Sequence, residues 1–152
     1  MDAMKVQSSR FGTIELDDQE VINFPAGLIG FPDETSFVML RPRPESPIAW
    51  LHSTQTSWFA LPVVSADALQ TDISGTLSEA GKASGIVASD ESFAVMAVLN
   101  APGAGAPASV NLMAPIIVNA ETRQGAQLLL ESSNYSTQEP FVLRTAEVRS
   151  NP

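Results

Sequence analysis

Apolar residues in this chain fall into short runs, several of which alternate with polar residues, and most end at a turn residue. That pattern is typical of β-strands. The predicted strands are Phe11–Leu16, Glu20–Phe24, Ser36–Arg41, Ile48–Ser53, Ser57–Val64, Ser92–Asn100, Ser109–Asn119 and Gly125–Glu131, with Thr71–Leu77 as a weaker candidate. The last two of the eight are expected to pair as a hairpin around Ala120–Gln124.

Helix signals are confined to the middle of the chain. Ser65–Gln70 has a serine ahead of about one turn of good helix formers, and Ser78–Ala83 offers a second turn that Gly85 would end. The sequence therefore predicts a mainly β fold, a small antiparallel β-barrel-like single domain with one or two short helical turns. Residues 1–144 are assigned to this domain and residues 145–152 to a flexible C-terminal tail.

Proline positions refine this picture. Arg41–Pro47 (RPRPESP) should form an extended, exposed connector, and Ala101–Ala108 (APGAGAPA) a flexible hairpin loop. Pro62 lies inside a predicted strand, and proline cannot donate a hydrogen bond to a neighbouring strand. It therefore predicts an edge position or a bulge.

Composition and charge narrow the function classes. The chain has 152 residues, of which 44% are hydrophobic and 16% charged, so one folded domain is expected. Its formal net charge of −9 repels phosphate backbones and favours a basic protein partner over direct nucleic-acid binding. The chain has no cysteine, no signal-peptide pattern and no apolar run long enough to cross a membrane. We therefore expect a soluble cytoplasmic protein.

The residues that could carry catalysis form no recognisable motif. His52 is the sole histidine, and the IAWLHS pattern places it on one face with Ile48 and Trp50, so we expect packing beside Trp50. A hydrolase using His52 would need a nearby serine and a supporting carboxylate. Three acidic pairs sit at predicted turns without calcium-loop spacing, and we interpret them as solvated: Asp17-Asp18, Asp33-Glu34 and Asp90-Glu91. Trp50, Trp58 and Phe59 are predicted core residues.

Two apolar segments carry Pro or Gly where an ordinary strand would not: Asn23–Phe31 (NFPAGLIGF) and Asn111–Asn119 (NLMAPIIVN). In the first, Gly27 and Gly30 permit tight turns with positive φ. No helix pattern follows them, which argues against a phosphate-binding loop. Phe24, Leu28 and Phe31 are interpreted as core residues, with a partly exposed apolar surface as the alternative.

The second segment is interrupted by Pro115 in the middle of a strong strand pattern. One interpretation is a bulge or a bent edge strand, and the other is a strand edge left free for a partner's extended segment. The two are compatible because bulges gather beside binding sites. Asn111 and Asn119 are expected to bond to nearby backbone at the strand ends.

In combination and order, these segments resemble the FliW family of flagellar assembly factors. The resemblance rests on Phe24-Pro25, Gly27-Leu28 and Gly30-Phe31, then on Asn111-Leu112, Ala114-Pro115-Ile116 and Asn119. Gly125, Gln127 and Tyr135 also fit the C-terminal pattern of the family. The Ala-, Gly- and Ser-rich segment Ser78–Glu91 and the APGAGAPA loop depart from it, so contacts made there by relatives are not transferable to this chain.

The resemblance implies a β-rich, barrel-like protein without catalytic activity or cofactor. It implies binding to flagellin and to CsrA, an RNA-binding translational regulator that FliW proteins antagonise allosterically, and hence coupling of flagellin synthesis to export. We expect a monomer when free, with no direct nucleic-acid or membrane partner. The predicted partner-binding residues are Phe24, Leu28, Phe31, Asn111, Ala114, Pro115 and Ile116. The alternatives are a chaperone for a secreted filament subunit without a regulatory partner, and a small hydrolase using His52.

Overall fold

Ten β-strands and two 3-10 turns make up the regular structure in the computed structural model, which describes residues 3–69, 85, 93–101, 107–130 and 135–143. The strands are β1 Ala3–Ser8, β2 Gly12–Asp17, β3 Ile22–Asn23, β4 Ser36–Leu40, β5 Ile48–Ser53, β6 Ala60–Ser65, β7 Phe93–Asn100, β8 Ser109–Asn119, β9 Gln124–Gln127 and β10 Glu139–Pro140. The 3-10 turns are Asp18–Glu20 and Ala66–Ala68.

Several sequence predictions concern residues outside these ranges. They are the weak strand Thr71–Leu77, the turn Ser78–Ala83, the acidic pair Asp90-Glu91, positions 102–106 of the alanine-rich loop, and the tail from residue 145 onward.

Seven strands close into a barrel. Hydrogen-bonded neighbours follow the order β8-β7-β6-β5-β4-β3-β9, and β9 pairs again with β8 to complete the circle. This confirms the predicted barrel-like β fold and the hairpin formed by β8 and β9. All of these pairings are antiparallel except that of β3 with β9, where Asn23 lies opposite Gln124 in a parallel bridge. The barrel is therefore mixed, not wholly antiparallel as the sequence suggested.

Three elements outside the barrel cover its surface. Strands β1 and β2 form a separate hairpin, which the sequence analysis recognised only in its second strand. Residues of this hairpin pack with Val38 of β4 in a small apolar cluster that includes Val6 and Leu16. Strand β10 adds to the outer edge of β8. The turn Ala66–Ala68 follows β6 and is capped by the Ser65 hydroxyl, as predicted for the serine at this position.

The core divides into the interior of the barrel and a second cluster on its outer face. Side chains from six barrel strands fill the interior, among them Phe37, Leu51, Val63 and Ile116. The outer cluster contains Val64, Ala97, Leu112 and Ile117 from β6, β7 and β8, and the segment after β9 contributes Leu130. These three strands are apolar on both faces, which explains why β7 and β8 give nearly continuous apolar runs.

Pro62 lies in β6 at a place where it interrupts no ladder. Ser53 N donates to Phe59 O across β5 and β6, so the alternation of antiparallel pairs puts Pro62 and Trp50 in a pair without hydrogen bonds. The nitrogen of Pro62 therefore faces β7, and the pairing of β6 with β7 begins only at Val63. Pro62 is therefore unpaired on its β7 side, as at a strand edge, although β6 as a whole is not an edge strand because it lies between β5 and β7.

The aromatic residues around this strand differ in their surroundings. Phe59 is buried in the barrel interior, as predicted. Trp58 is 69% exposed, so its predicted place in the core was wrong. Trp50 was also wrongly predicted to lie in the core: it is half-buried on the outer face of the barrel, where Phe11 packs edge-on at 5.8 Å and the Arg10 guanidinium lies 4.4 Å from the ring. Trp58 lies in the turn between β5 and β6, where Phe59 N donates to Thr56 O at 3.1 Å, and this turn buries Phe59 and leaves Trp58 exposed.

Candidate functional site

The segment after β3 closes one end of the barrel. Phe24 and Leu28 are buried with the interior cluster, in the first of the two segments that the sequence analysis singled out. Backbone bonds fix its path: Phe24 N donates to Thr35 O at 2.8 Å, and Leu28 and Phe31 exchange two N–H to C=O bonds of 3.1 and 2.8 Å. We call residues 24–35 the plug. It presents the rest of the segment on the outside of the barrel.

Two glycines set the shape of the plug. Gly27 and Gly30 have φ values of +71° and +86°, which confirms the prediction of positive φ at both positions. Gly27 is also crowded, because a Cβ there would lie 2.4 Å from the Pro32 carbonyl oxygen. Gly30 has open space around the same position. The turn therefore requires glycine at both sites for conformation and at Gly27 for space as well.

The second segment contains the predicted bulge. Pairing between β7 and β8 changes register between Met96 and Val98, so several β8 residues lie opposite Ala97 alone. Asn111 Oδ1 accepts from Met113 N at 3.0 Å and from Ala114 N at 3.1 Å, which stabilises the irregular backbone. This confirms the predicted bond from Asn111 to nearby backbone, and Asn119 does the same for Glu121 N and Thr122 N.

Backbone groups of this bulge are bonded within the chain. Leu112 N donates to Ser136 O, Leu128 N to Pro115 O and Leu130 N to Met113 O, at 2.7 to 2.9 Å. The interpretation of this bulge as an edge left free for a partner's extended segment is therefore not supported. The bulge has a structural role in the described chain.

Gln127 joins the two segments, which are about eighty residues apart in sequence. Its Oε1 accepts from Ile29 N of the plug at 2.9 Å, and its Nε2 donates to Ala114 O of the bulge at 3.0 Å. Only the family resemblance points to Gln127 in the sequence, because a glutamine in a short strand gives no signal of its own. One side chain thus couples the position of the plug to that of the bulge.

The seven predicted partner-binding residues are distributed between core and surface. Phe24, Leu28, Ala114, Pro115 and Ile116 are buried, Asn111 is half-buried, and Phe31 is exposed. The first five can support a binding surface from beneath, whereas only Phe31 and Asn111 are accessible for direct contact. A role in partner binding stays a prediction for all seven.

An exposed apolar surface extends outward from the plug. Phe31 is 47% exposed and packs edge-on against Phe59 with ring centroids 4.7 Å apart, and Phe59 in turn lies 5.8 Å from the Trp58 ring. We call Phe31, Phe59 and Trp58 the aromatic ridge. Ile29, also half-exposed, precedes Phe31 by two residues. Exposed aromatic side chains supported by a buried one are typical of protein-binding surfaces.

His52 and its neighbours form a structural network. The imidazole is fully buried beneath the β1–β2 hairpin, with Nε2 at 2.8 Å from Ser8 Oγ and Nδ1 at 2.7 Å from Ser53 O. Ser8 Oγ also accepts from Arg10 N and Phe11 N, so Ser8 is a turn-forming residue with its hydroxyl turned into the protein. Both ring nitrogens are therefore already bonded to groups other than a carboxylate, and a buried serine offers no access to substrate. The hydrolase alternative is therefore not supported.

Acidic residues of the predicted turns also have structural partners. Asp17 caps the turn Asp18–Glu20 and forms a capping box with Glu20. Glu34 accepts from Ser53 Oγ at 2.7 Å and from Thr56 Oγ1 at 2.6 Å. Within the described ranges, no group of three or more His, Asp or Glu side chains is arranged to hold a metal ion. Those ranges also contain no helix with the length and apolar character needed to span a membrane.

Substitution of Ser8 by alanine tests the importance of the buried network. We expect Ser8→Ala to lower the free energy of unfolding by about 1–3 kcal/mol, because it leaves the imidazole Nε2 and two backbone N–H groups without their partner. Urea denaturation followed by circular dichroism measures the change. Ser9→Ala is the control, since Ser9 is exposed and its hydroxyl makes only a 3.4 Å contact with Ser57. Equal stability of the two variants would contradict the assignment.

Known proteins resemble this chain over most of its length. The model of the family described as FliW protein matches residues 5–141. Relatives described as flagellar assembly factor FliW include one from Bdellovibrio bacteriovorus, 29% identical over 150 residues and covering 98% of this chain and 86% of the relative. Another, from Thermotoga neapolitana, is 33% identical over 131 residues, covering 86% and 88%. The crystal structure of a flagellar assembly factor FliW superposes with a TM-score of 0.70 at 25% identity, covering 90% of this chain and 96% of that one.

Proposed function

The chain belongs to the FliW family of flagellar assembly factors, which are not enzymes, and we propose that it acts by binding flagellin and a CsrA-type translational regulator. Family membership is the observation that carries this proposal. When flagellin no longer occupies the protein, it binds the regulator, antagonises it allosterically and allows flagellin synthesis. Both encounters take place in the cytoplasm, where translation occurs, with the free protein as a monomer.

The aromatic ridge is the proposed contact surface. It combines two exposed rings with a buried one that holds them in place, and aromatic side chains supply large contact areas at low entropic cost. Gln127 ties the backbone beneath it to the β8 bulge. The buried residues Phe24, Leu28, Ala114, Pro115 and Ile116 then act indirectly, by fixing the plug and the bulge. Asn111 acts in the same way through its bonds to Met113 N and Ala114 N.

The acidic character of the chain suits an RNA-binding partner. A net charge of −9 steers a basic protein toward this one and, once bound beside it, repels RNA from the same neighbourhood. Dissolved salt screens these electrostatic interactions beyond a distance of about 8 Å at physiological ionic strength. We therefore expect the association rate with the regulator to fall as salt is raised.

Replacement of Phe31 tests the contact surface. We expect Phe31→Ala to weaken binding to flagellin, to the regulator or to both by at least about tenfold, since truncation of a central aromatic contact typically costs 2 kcal/mol or more. Titration calorimetry with each purified partner measures it. Leu129→Ala is the matched control, because Leu129 is similarly exposed at 50% but lies outside the ridge. Unchanged binding of both partners by folded Phe31→Ala would remove the ridge from the proposal.

The same titration tests the proposed function. Binding of flagellin with no measurable binding of the regulator would favour a chaperone for a secreted filament subunit, without a regulatory partner. Binding of neither protein would contradict both interpretations.

A further inference from the structure

The described residues at the end of the barrel opposite the plug leave a cavity between them. A cavity of about 240 Å³ enters the barrel where β4, β6 and β8 end and where β5 and β7 begin. Its wall is formed by interior side chains, namely Ile22, Met39, Ala49, Val63, Met96 and Val118. The mouths of β-barrels are common ligand sites, and an apolar wall of this kind suits an apolar group.

Two arginines also line this cavity. Arg41 follows β4 and Arg123 precedes β9. Arg123 donates from Nη2 to Glu20 O at 2.8 Å, whereas its Nε is buried and has no hydrogen-bond partner. A buried donor without an acceptor costs about 1–3 kcal/mol, so a water molecule or a ligand is expected to supply the acceptor that the protein does not. The adjoining acidic residue Glu20 uses its carboxylate to accept from Asp17 N at 2.9 Å.

The backbone at Arg123 is unusual too. Its φ of +57° makes it the only described residue other than glycine with a positive value. Such a conformation costs about 1 kcal/mol or more in any residue with a Cβ. Its guanidinium is held in place by the bond to Glu20 O, which belongs to the turn between β2 and β3. The chain thus holds a cationic side chain at the rim of an apolar cavity in a net acidic protein.

We propose that this cavity binds a monocarboxylate with an apolar chain. The chain occupies the barrel interior beside Ala49 and Met96, and the carboxylate accepts hydrogen bonds from the guanidinium groups of Arg41 and Arg123. A guanidinium fork matches a carboxylate in shape and charge. An apolar cavity of about 150 Å³ holds the six carbons of benzene, so this one accommodates roughly nine carbons. A free carboxylic acid and the apolar carboxyl-terminal residue of a polypeptide share this chemistry.

Calorimetric titration with sodium octanoate tests the site, with 1-octanol as the neutral analogue. We expect octanoate to bind at least about tenfold more tightly than octanol, because a charge-assisted hydrogen bond contributes about 1.5–3 kcal/mol. Arg41→Gln and Arg123→Gln should each reduce octanoate affinity toward that of octanol and leave octanol binding unchanged. Arg43→Gln removes the same charge outside the cavity and should change neither.

A further variant tests the apolar wall of the cavity independently of the two arginines. Ala49→Leu fills part of the cavity and should weaken octanoate and octanol alike. Circular dichroism and thermal melting verify that each variant is folded. If Arg123→Gln does not fold, Arg41→Gln keeps the test intact, since Arg41 is exposed and its replacement disturbs no packing.

Two peptides distinguish a free carboxylic acid from a polypeptide carboxyl terminus as the natural ligand. An N-acetylated tripeptide ending in leucine is compared with its carboxyl-terminal amide. Binding of the acid but not the amide, tighter than octanoate, assigns the site to a polypeptide terminus, whereas tighter binding of octanoate assigns it to a free acid. The proposal is overturned if the folded protein binds neither carboxylate, or if every glutamine variant of Arg41 and Arg123 that folds binds octanoate as tightly as the unsubstituted chain. The cavity and the ridge lie at opposite ends of the barrel, so either can fail alone.

Discussion

Replacement of Phe24 by alanine is expected to lower the free energy of unfolding by about 3–5 kcal/mol. For a domain whose total stability is about 5–15 kcal/mol, that is a third or more of the whole in most cases. Urea denaturation followed by far-UV circular dichroism measures the change, and the midpoint should fall without a change in the denaturant slope.

The expected loss follows from how the ring is enclosed. Phe24 is fully buried and packs edge-on against Phe37, with ring centroids 5.2 Å apart. On another side it fills space that a side chain at position 125 would occupy, since a Cβ on Gly125 would lie 2.7 Å from Phe24 Cζ. Gly125 lies in β9, which closes the barrel. Truncation of Phe24 therefore leaves a cavity at the junction of the plug and the closing strand.

Two variants control this prediction. Phe31→Ala removes the same atoms from a half-exposed position in the same segment, so it should cost clearly less than Phe24→Ala. Gly125→Ala should destabilise the unsubstituted chain by about 1–3 kcal/mol through overpacking. In the Phe24→Ala background it should cost much less, because the ring that it meets is gone. Similar losses for Phe24→Ala and Phe31→Ala, or additive losses in the double variant, would contradict the packing described.

The sequence predicted the long strands because their signal is local. Strands β4, β5, β7 and β8 were identified to within one residue, since apolar runs bounded by turn residues determine both type and extent. Strand β1 was missed, because MKVQSS alternates weakly and is stabilised mainly by pairing with β2 and by contact with β4. The parallel bridge between Asn23 and Gln124 that closes the barrel is a long-range pairing, and no local pattern encodes it.

The candidate site was predicted only in part, because some of its features have local sequence signals and others depend on long-range contacts. Backbone signals were local and correct, namely positive φ at Gly27 and Gly30 and a bulge around Pro115. Side-chain exposure depends on which strand covers which face. Trp58 and Phe59 are adjacent aromatic residues, yet Trp58 is 69% exposed and Phe59 is buried. The bridge made by Gln127 and the cavity between Arg41 and Arg123 arise only after the barrel closes.

Replacement of Gly27 by alanine is expected to cost about 2–4 kcal/mol, the sum of conformational strain and a backbone collision. At a φ of +71° any residue with a Cβ is strained, and here the added atom would lie 2.4 Å from the Pro32 carbonyl oxygen. A carbonyl of the main chain cannot rotate away as a side chain can, so the plug itself must shift. Denaturation in urea measures the loss.

Gly30→Ala supplies the matched control within the same turn. Its φ of +86° imposes a similar strain, but nothing lies within 4 Å of the added Cβ, so we expect a loss of only about 1 kcal/mol. The difference between the two variants isolates the collision with Pro32. Because the Gly27→Ala shift also moves Ile29 and Phe31, that variant should weaken partner binding, whereas Gly30→Ala should weaken it less. Equal losses of stability in the two variants would show that the plug yields freely, and the rigid support proposed for the aromatic ridge would then be wrong.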